Sequence, residues 1–130
     1  MVQNDQLTEI IIGCAYRVAH VLGCGFLEKV YENALVLELR NRGMEVTQQT
    51  DIKLLFEGKI VGDYKADLLV QNQVLVELKT AKSLDDVHFA QCYNYLQATG
   101  HPTCLLINFR SPKIEIKRIV NKFIHGSNEV

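Results

Sequence analysis

The stretch Tyr64-Lys-Ala-Asp67-Leu-Leu-Val70-Gln-Asn-Gln-Val74-Leu-Val-Glu77-Leu-Lys79-Thr80 decides how this chain folds. Two apolar runs, Leu68–Val70 and Val74–Val76, flank Gln71-Asn72-Gln73. Side chains alternate faces along a strand. Val74, Val76 and Leu78 are therefore expected on one face, with Leu75, Glu77 and Lys79 on the other. In the preceding strand Ala66, Leu68 and Val70 are expected to share a face, with Asp67 and Leu69 opposite. A loop at Gln71–Gln73 sets Val70 against Val74, Leu68 against Val76 and Asp67 against Glu77. A loop one residue longer or shorter would turn one strand over and break the apolar match.

That register stacks two carboxylates, and like charges directly opposed in a sheet repel. Both runs are apolar on each face, the pattern of strands covered on both sides, where a charge needs a partner or a metal. Hard oxygen ligands at neighbouring strand positions suit Mg²⁺ or Mn²⁺, with water completing the shell. Lys79, one step along, is placed to stabilise a developing anion or orient a water. Together these residues point to metal-assisted hydrolysis of a phosphodiester. The alternative reading of Asp67, Glu77 and Lys79 is a solvated strand face carrying one ion pair.

Outward from this hairpin, helical periodicity covers Leu7–Leu22, with Asn4 or Asp5 as cap and Ile11, Ala15, Val18 and Leu22 on one face. A second helix is expected over Phe26–Arg42, with Leu27, Val30, Ala34 and Leu35 as its buried stripe and Gly43 closing it. Met44–Gln49, Ile52–Phe56, Lys59–Val70 and Val74–Thr80 read as strands, with a tight turn at Glu57-Gly58. Ser83 is expected to cap a third helix that runs to Thr99 and ends at Gly100. Thr103–Phe109 and Ile114–Val120 read as strands, and the last ten residues as frayed or a short helix. The order α-α-β-β-β-β-α-β-β predicts an α/β (α+β) fold with a mixed central sheet flanked by helices.

The 130 residues suffice for one domain, expected to span 1–130, and 48% apolar residues exclude a disordered chain. Lys and Arg (14) balance Asp and Glu (15), so any nucleic-acid site must be a local patch. Two basic groups qualify: Lys53, Lys59, Lys65, Lys79 and Lys82, and Lys113, Lys117, Arg118 and Lys122. No apolar run reaches the ~20 residues of a membrane span, and the start lacks a signal peptide's basic region, so a cytoplasmic protein without a membrane partner is expected. Cys14, Cys24, Cys92 and Cys104 form no C-x-x-C pair and are expected to be reduced and mostly buried. His88 with Cys92, and His101 with Cys104, make only a weak zinc pattern.

Asp67 followed by Glu77-Leu78-Lys79 on consecutive strands resembles the core of the PD-(D/E)XK nuclease superfamily. Gly25-Phe-Leu-Glu28-Lys-Val-Tyr31 resembles the motif of its small GxxExxY branch, as do Ala66–Val70, Val76–Lys79 and Leu106–Phe109. The likeness runs from about Leu7 to Val120. Cys24 stands where that branch often has proline, which touches only the turn. The resemblance implies a restriction-endonuclease-like core and a metal site built from Glu28 on a helix with Asp67 and Glu77 on strands. It makes Lys79 the catalytic lysine, and Gln91 with Tyr95 match a Q-x-x-x-Y pattern of recombination-type exonucleases. Gln91 and Tyr95, one helical turn apart, can point into one cleft. The expected activity is a Mg²⁺- or Mn²⁺-dependent nuclease acting on DNA or RNA, as a homodimer if it cuts both strands of a duplex. A non-catalytic nucleic-acid- or protein-binding module on the same fold is the alternative, and a hydrolase of small phosphorylated substrates is a third reading.

Overall fold

The computed structural model describes residues 4–122. Two helices, α1 (Asn4–Leu22) and α2 (Glu28–Asn41), precede three strands, β1 (Val46–Phe56), β2 (Lys59–Val70) and β3 (Val74–Lys79). Helix α3 (Asp86–Thr99) then crosses over to β4 (Thr103–Asn108) and β5 (Glu115–Val120). The five strands lie in sequence order in one sheet. Every neighbouring pair is antiparallel except β3 and β4, which α3 connects in parallel. Packing α1 and α2 on one face and α3 on the other makes the mixed, helix-flanked architecture that the sequence pattern predicts.

The two cores divide along the sheet. Leu68, Val70, Val74, Val76, Leu78, Leu105 and Ile107 pack with α1 and α2. Leu75, Ala66, Cys104 and Leu106 pack with Cys92, Tyr95 and Leu96 of α3. Strand β4 is buried at all six positions and β3 at all but Lys79, so the central parallel pair is covered on both sides. The pairs Val70–Val74, Leu69–Leu75 and Leu68–Val76 realise the expected register. Gln71 and Asn72 take positive φ in the connecting turn. That strained turn is tied down through Gln71, whose N–H donates to the Glu45 carbonyl at 2.8 Å and whose side-chain oxygen accepts the Glu45 N–H.

Four local expectations need correction. Met44–Gln49 and Ile52–Phe56 are not two strands. Gln49 adopts φ 52° and bends the chain without ending its pairing to β2, so Val46–Phe56 is one strand and the sheet has five rather than six. Helix α2 begins at Glu28, and its stripe is Tyr31, Leu35 and Leu39, while Leu27 and Val30 are exposed. Helix α1 includes Asn4, whose side-chain oxygen accepts from Thr103 instead of capping. Asp85, not Ser83, caps α3: its carboxylate accepts Val87 N–H at 3.1 Å and His88 N–H at 3.4 Å, while His88 Nδ1 accepts Asp85 N–H at 3.2 Å. This reciprocal cap satisfies donors that a helix start otherwise leaves unpaired. Cys14, Cys92 and Cys104 are buried free thiols and Cys24 is an exposed one. The ending expected for the last ten residues lies, beyond Lys122, outside the described residues.

Candidate active site

The site forms where the regular ladder stops. Pairing between β2 and β3 ends at Leu68–Val76. In the next row Asp67 N–H donates to Glu77 Oε1 at 2.8 Å, and Leu78 N–H donates to Asp67 Oδ2 at 2.8 Å. Each carboxylate thus takes a backbone donor of the other strand. On the far side, β1 and β2 pair at Gln48–Leu68 and Thr50–Ala66 but skip Gln49 and Asp67. Asp67 therefore leaves the ladder on both sides, and the alternation of faces shifts there. Leu68 and Val70 pack against α1 and α2, whereas Ala66 packs against α3. The expectation that Ala66, Leu68 and Val70 share a face fails at Ala66, because an irregular row moves the alternation by one residue.

Burial and like charge dominate the electrostatics. Glu77 is 3% exposed. Burial first, and the neighbouring Asp67 second, push its carboxyl up to about 8, against the opposing effects of the Asp67 N–H and Lys79. Asp67 is also raised, chiefly by burial and then by Glu32, while the Leu78 N–H, Gln49 and Lys79 pull it back. Glu28, half-buried at the first position of α2, is raised by burial and by Asp67, with Lys79 again opposing. Lys79, on the last residue of β3, thus acts on all three carboxylates. Glu28, Asp67, Glu77 and Lys79, drawn from one helix and two strands, come into one electrostatic neighbourhood.

Gln91 and Tyr95 approach from the α3 side. Gln91 Nε2 donates to Tyr95 Oη at 3.0 Å, and Tyr95 Oη donates to the Lys65 carbonyl at 3.3 Å. Burial, and next the charge of Glu77, hold the Tyr95 hydroxyl up at about 12. It stays protonated and anchors the chain two residues before Asp67. His88 is spent on the α3 cap, and Cys104 lies against Cys92, which leaves the weak zinc pattern without a cage. Of the lysines, Lys53 pairs with Asp63 at 2.7 Å and Lys65 with Asp51.

Glu32 and Gln49 were not singled out in the sequence. Glu32 is 2% exposed. It accepts Lys29 Nζ at 3.0 and 3.1 Å, Gln48 Nε2 at 2.9 Å, and Gln49 Nε2 at 3.1 and 3.2 Å. Gln49 also reaches Asp67 Oδ1 at 3.4 Å, so its amide bridges the helix carboxylate to the strand carboxylate. The i, i+4 spacing of Glu28 and Glu32 was a usable signal. Nothing in a strand-like Gln-Gln pair marked Gln49. Tyr31 turns out to be architectural: its hydroxyl donates to the Gly23 carbonyl at 2.6 Å, accepts Phe26 N–H at 3.3 Å, and its ring stacks on Phe109 at 4.6 Å.

Among the described residues no three His, Cys, Asp or Glu side chains converge as a ready-made ion cage. The donor chemistry nonetheless fits a hard cation. Asp67 and Glu77 each commit one oxygen to a backbone amide and remain mutually destabilised as anions, a penalty that a bound divalent ion would relieve.

Solved structures share the fold. The chain is similar to LHK-Exo, solved in complex with dAMP, at 15% identity, covering 94% of this chain and 87% of that one with a TM-score of 0.52. A second structure of this alkaline exonuclease from Laribacter hongkongensis aligns at 16% identity over 94% and 87% of the chains, with a TM-score of 0.49. SSO0001 aligns at 19% identity with a TM-score of 0.51, over 96% of this chain, which spans 66% of that protein's length. No curated protein matches the sequence. A family model matches residues 5–119, and it is the one describing the PD-(D/E)XK nuclease superfamily.

Proposed function

The chain belongs to the PD-(D/E)XK nuclease superfamily, and we propose that it is a Mg²⁺- or Mn²⁺-dependent nuclease of the GxxExxY branch, hydrolysing phosphodiester bonds in DNA or RNA as one cytoplasmic domain. One observation carries this reading: the half-buried Asp67 sits beside the buried Glu77 at a row where the sheet gives up its own ladder, with Lys79 next to them. A fold optimised for stability alone would fill that row with apolar side chains. The exonuclease neighbour solved with dAMP supports a nucleic-acid substrate.

Asp67 and Glu77, with Glu28 at the rim, would hold the cation, which supplies Lewis-acid polarisation of the phosphoryl group and an activated water. Lys79 places a fixed positive charge where negative charge grows on the phosphoryl oxygens. Glu32 and Gln49 hold the Asp67 carboxylate in orientation, and Gln91 with Tyr95 hold the β2 backbone leading into it. Lys79, Gln91 and Tyr95 complete the catalytic constellation.

The test is a calorimetric titration of Mn²⁺ and Mg²⁺ into wild type and Asp67→Ala, with a nucleic-acid cleavage assay on the same samples. Metal binding and metal-dependent cleavage, both lost in the variant, are expected. No metal binding at millimolar concentration sinks the catalytic reading. A second reading, a non-catalytic binding module, is favoured by the backbone amides that already satisfy one oxygen of each carboxylate. It requires nucleic-acid or protein binding that is indifferent to Mg²⁺ and to Lys79→Ala.

A further inference from the structure

A cavity of about 480 Å³ is lined by Cys24, Phe26, Leu27, Thr80, Phe109 and Arg110. It opens at the carboxyl ends of β3 and β4, the one parallel pair in the sheet. Open α/β sheets bind ligands at that end of parallel strands, because the connections splay apart there. Thr80 follows Lys79 directly, and Leu27 precedes Glu28, so two lining residues are sequence neighbours of candidate site residues.

The walls are built rather than incidental. Tyr31 fixes the α1–α2 loop through Gly23 and Phe26, and Phe26 stands edge-on to it at 6.2 Å with 48% of its surface open. Phe109, stacked on Tyr31, donates its N–H to the Lys79 carbonyl at 2.9 Å. Asn108, 4% exposed, ties together the segments that follow β3 and β4. Its side chain bonds both backbone groups of Ala81 at 3.1 and 2.8 Å and accepts Arg110 N–H at 3.2 Å. The exposed Arg110 guanidinium makes no ion pair or hydrogen bond among the described residues.

We propose that this cavity takes one unpaired nucleotide of a nucleic-acid strand, with Arg110 on its phosphate and Phe26 against its base. The inference rests on the nuclease reading for its place beside the cleavage site and sharpens the substrate to a single strand or a frayed end. Chemistry and size both select that ligand. A guanidinium matches phosphate oxygens bidentately, and an open aromatic ring stacks any base. The cavity is in the range of small-molecule pockets, which admits one nucleotide and excludes a base-paired one. The GxxExxY motif thereby acquires a second purpose. Its glutamate serves the metal, while its tyrosine holds the loop that presents Phe26.

The decisive experiment is fluorescence anisotropy in EDTA, with a short fluorescein-labelled single-stranded deoxyoligonucleotide and its blunt duplex as probes. The full chain is compared with Arg110→Ala, Phe26→Leu and Phe26→Trp. Arg110→Ala is expected to weaken single-strand binding roughly ten-fold and to lower the salt slope by about one. Phe26→Leu is expected to weaken it roughly ten-fold with the slope unchanged, and Phe26→Trp to restore it. Wild-type affinity in Arg110→Ala and Phe26→Leu overturns the proposal, as does a wild type that binds no single strand or loses duplex binding equally in both variants. Binding that depends on both residues in a protein that cleaves nothing with Mn²⁺ leaves the cavity assignment standing while the nuclease reading fails. Metal-dependent cleavage with unaffected variants does the reverse.

Discussion

The two halves of β2 invert the usual partition of side chains in opposite ways. The inner half places Asp67 beside the buried Glu77, between helices on both faces. The outer half and the stretch of β1 paired with it form a ribbon that leaves Leu54, Leu55, Phe56, Ile60 and Val61 exposed and sets its charges in the surface pairs Asp51–Lys65 and Lys53–Asp63. Buried charge is costly and exposed apolar surface is cheap. The inner half therefore demands an explanation in function, which the proposed cation and phosphodiester substrate would supply. The outer half has no strand partner but β1, since β3 is too short to pair with it, and α3 touches it through Tyr95, which bonds the Lys65 carbonyl and faces Tyr64. A strand's chemistry follows from what covers it, and its composition alone does not separate the halves.

Variants across the two halves sharpen this contrast. The largest effect is expected at Lys79→Ala, with metal-dependent cleavage falling about 10²–10³-fold and the thermal midpoint nearly unchanged. A midpoint that collapses along with activity would make Lys79 structural. Glu32→Ala comes next: it takes one acceptor each from Lys29, Gln48 and Gln49 and is expected to cost about 2–4 kcal/mol by urea denaturation.

The pH response is smaller and has a definite sign. The folded-state value of Glu77, about 8, lies above its ordinary 4.5. Folding is therefore favoured by the proton, fully below the ordinary value and progressively less as pH rises to 8. Without metal, the midpoint should fall from pH 5 to pH 8. Glu77→Gln should flatten that fall and stabilise the protein at pH 8 by about 1–2 kcal/mol, and Mn²⁺ should flatten it in wild type. A midpoint that rises over this range would contradict the buried pair. The smallest effect belongs to the ribbon, where Lys53→Ala should leave the midpoint within error, because exposed ion pairs contribute little. A measurable loss there would show the outer half to be coupled to the site.

The hairpin register was legible because each run is apolar on both faces and the loop length admits one match. The helices and the glycine stops at Gly43 and Gly100 were legible from periodicity and from turn chemistry. The carboxylate–lysine set was legible because charges in a covered strand stand out. Glu32 was within reach, one turn after Glu28, but a glutamate on a helix reads as solvated until its cover is known. Gln49 and the shift at Asp67 were out of reach, since neither residue type announces a left-handed backbone or an interrupted ladder.

By itself, then, the amino-acid order determined the element types, the pairing of β2 with β3 and the identity of the charged row, because these depend on contacts near in sequence and on alternation. Only the tertiary structure decided that Asp67 leaves the ladder on both sides, that Glu77 is driven toward its protonated form, and that Tyr31 fixes the loop between α1 and α2. Those outcomes depend on which distant surfaces close over a residue, since burial sets the cost of its charge and the donors left to meet it.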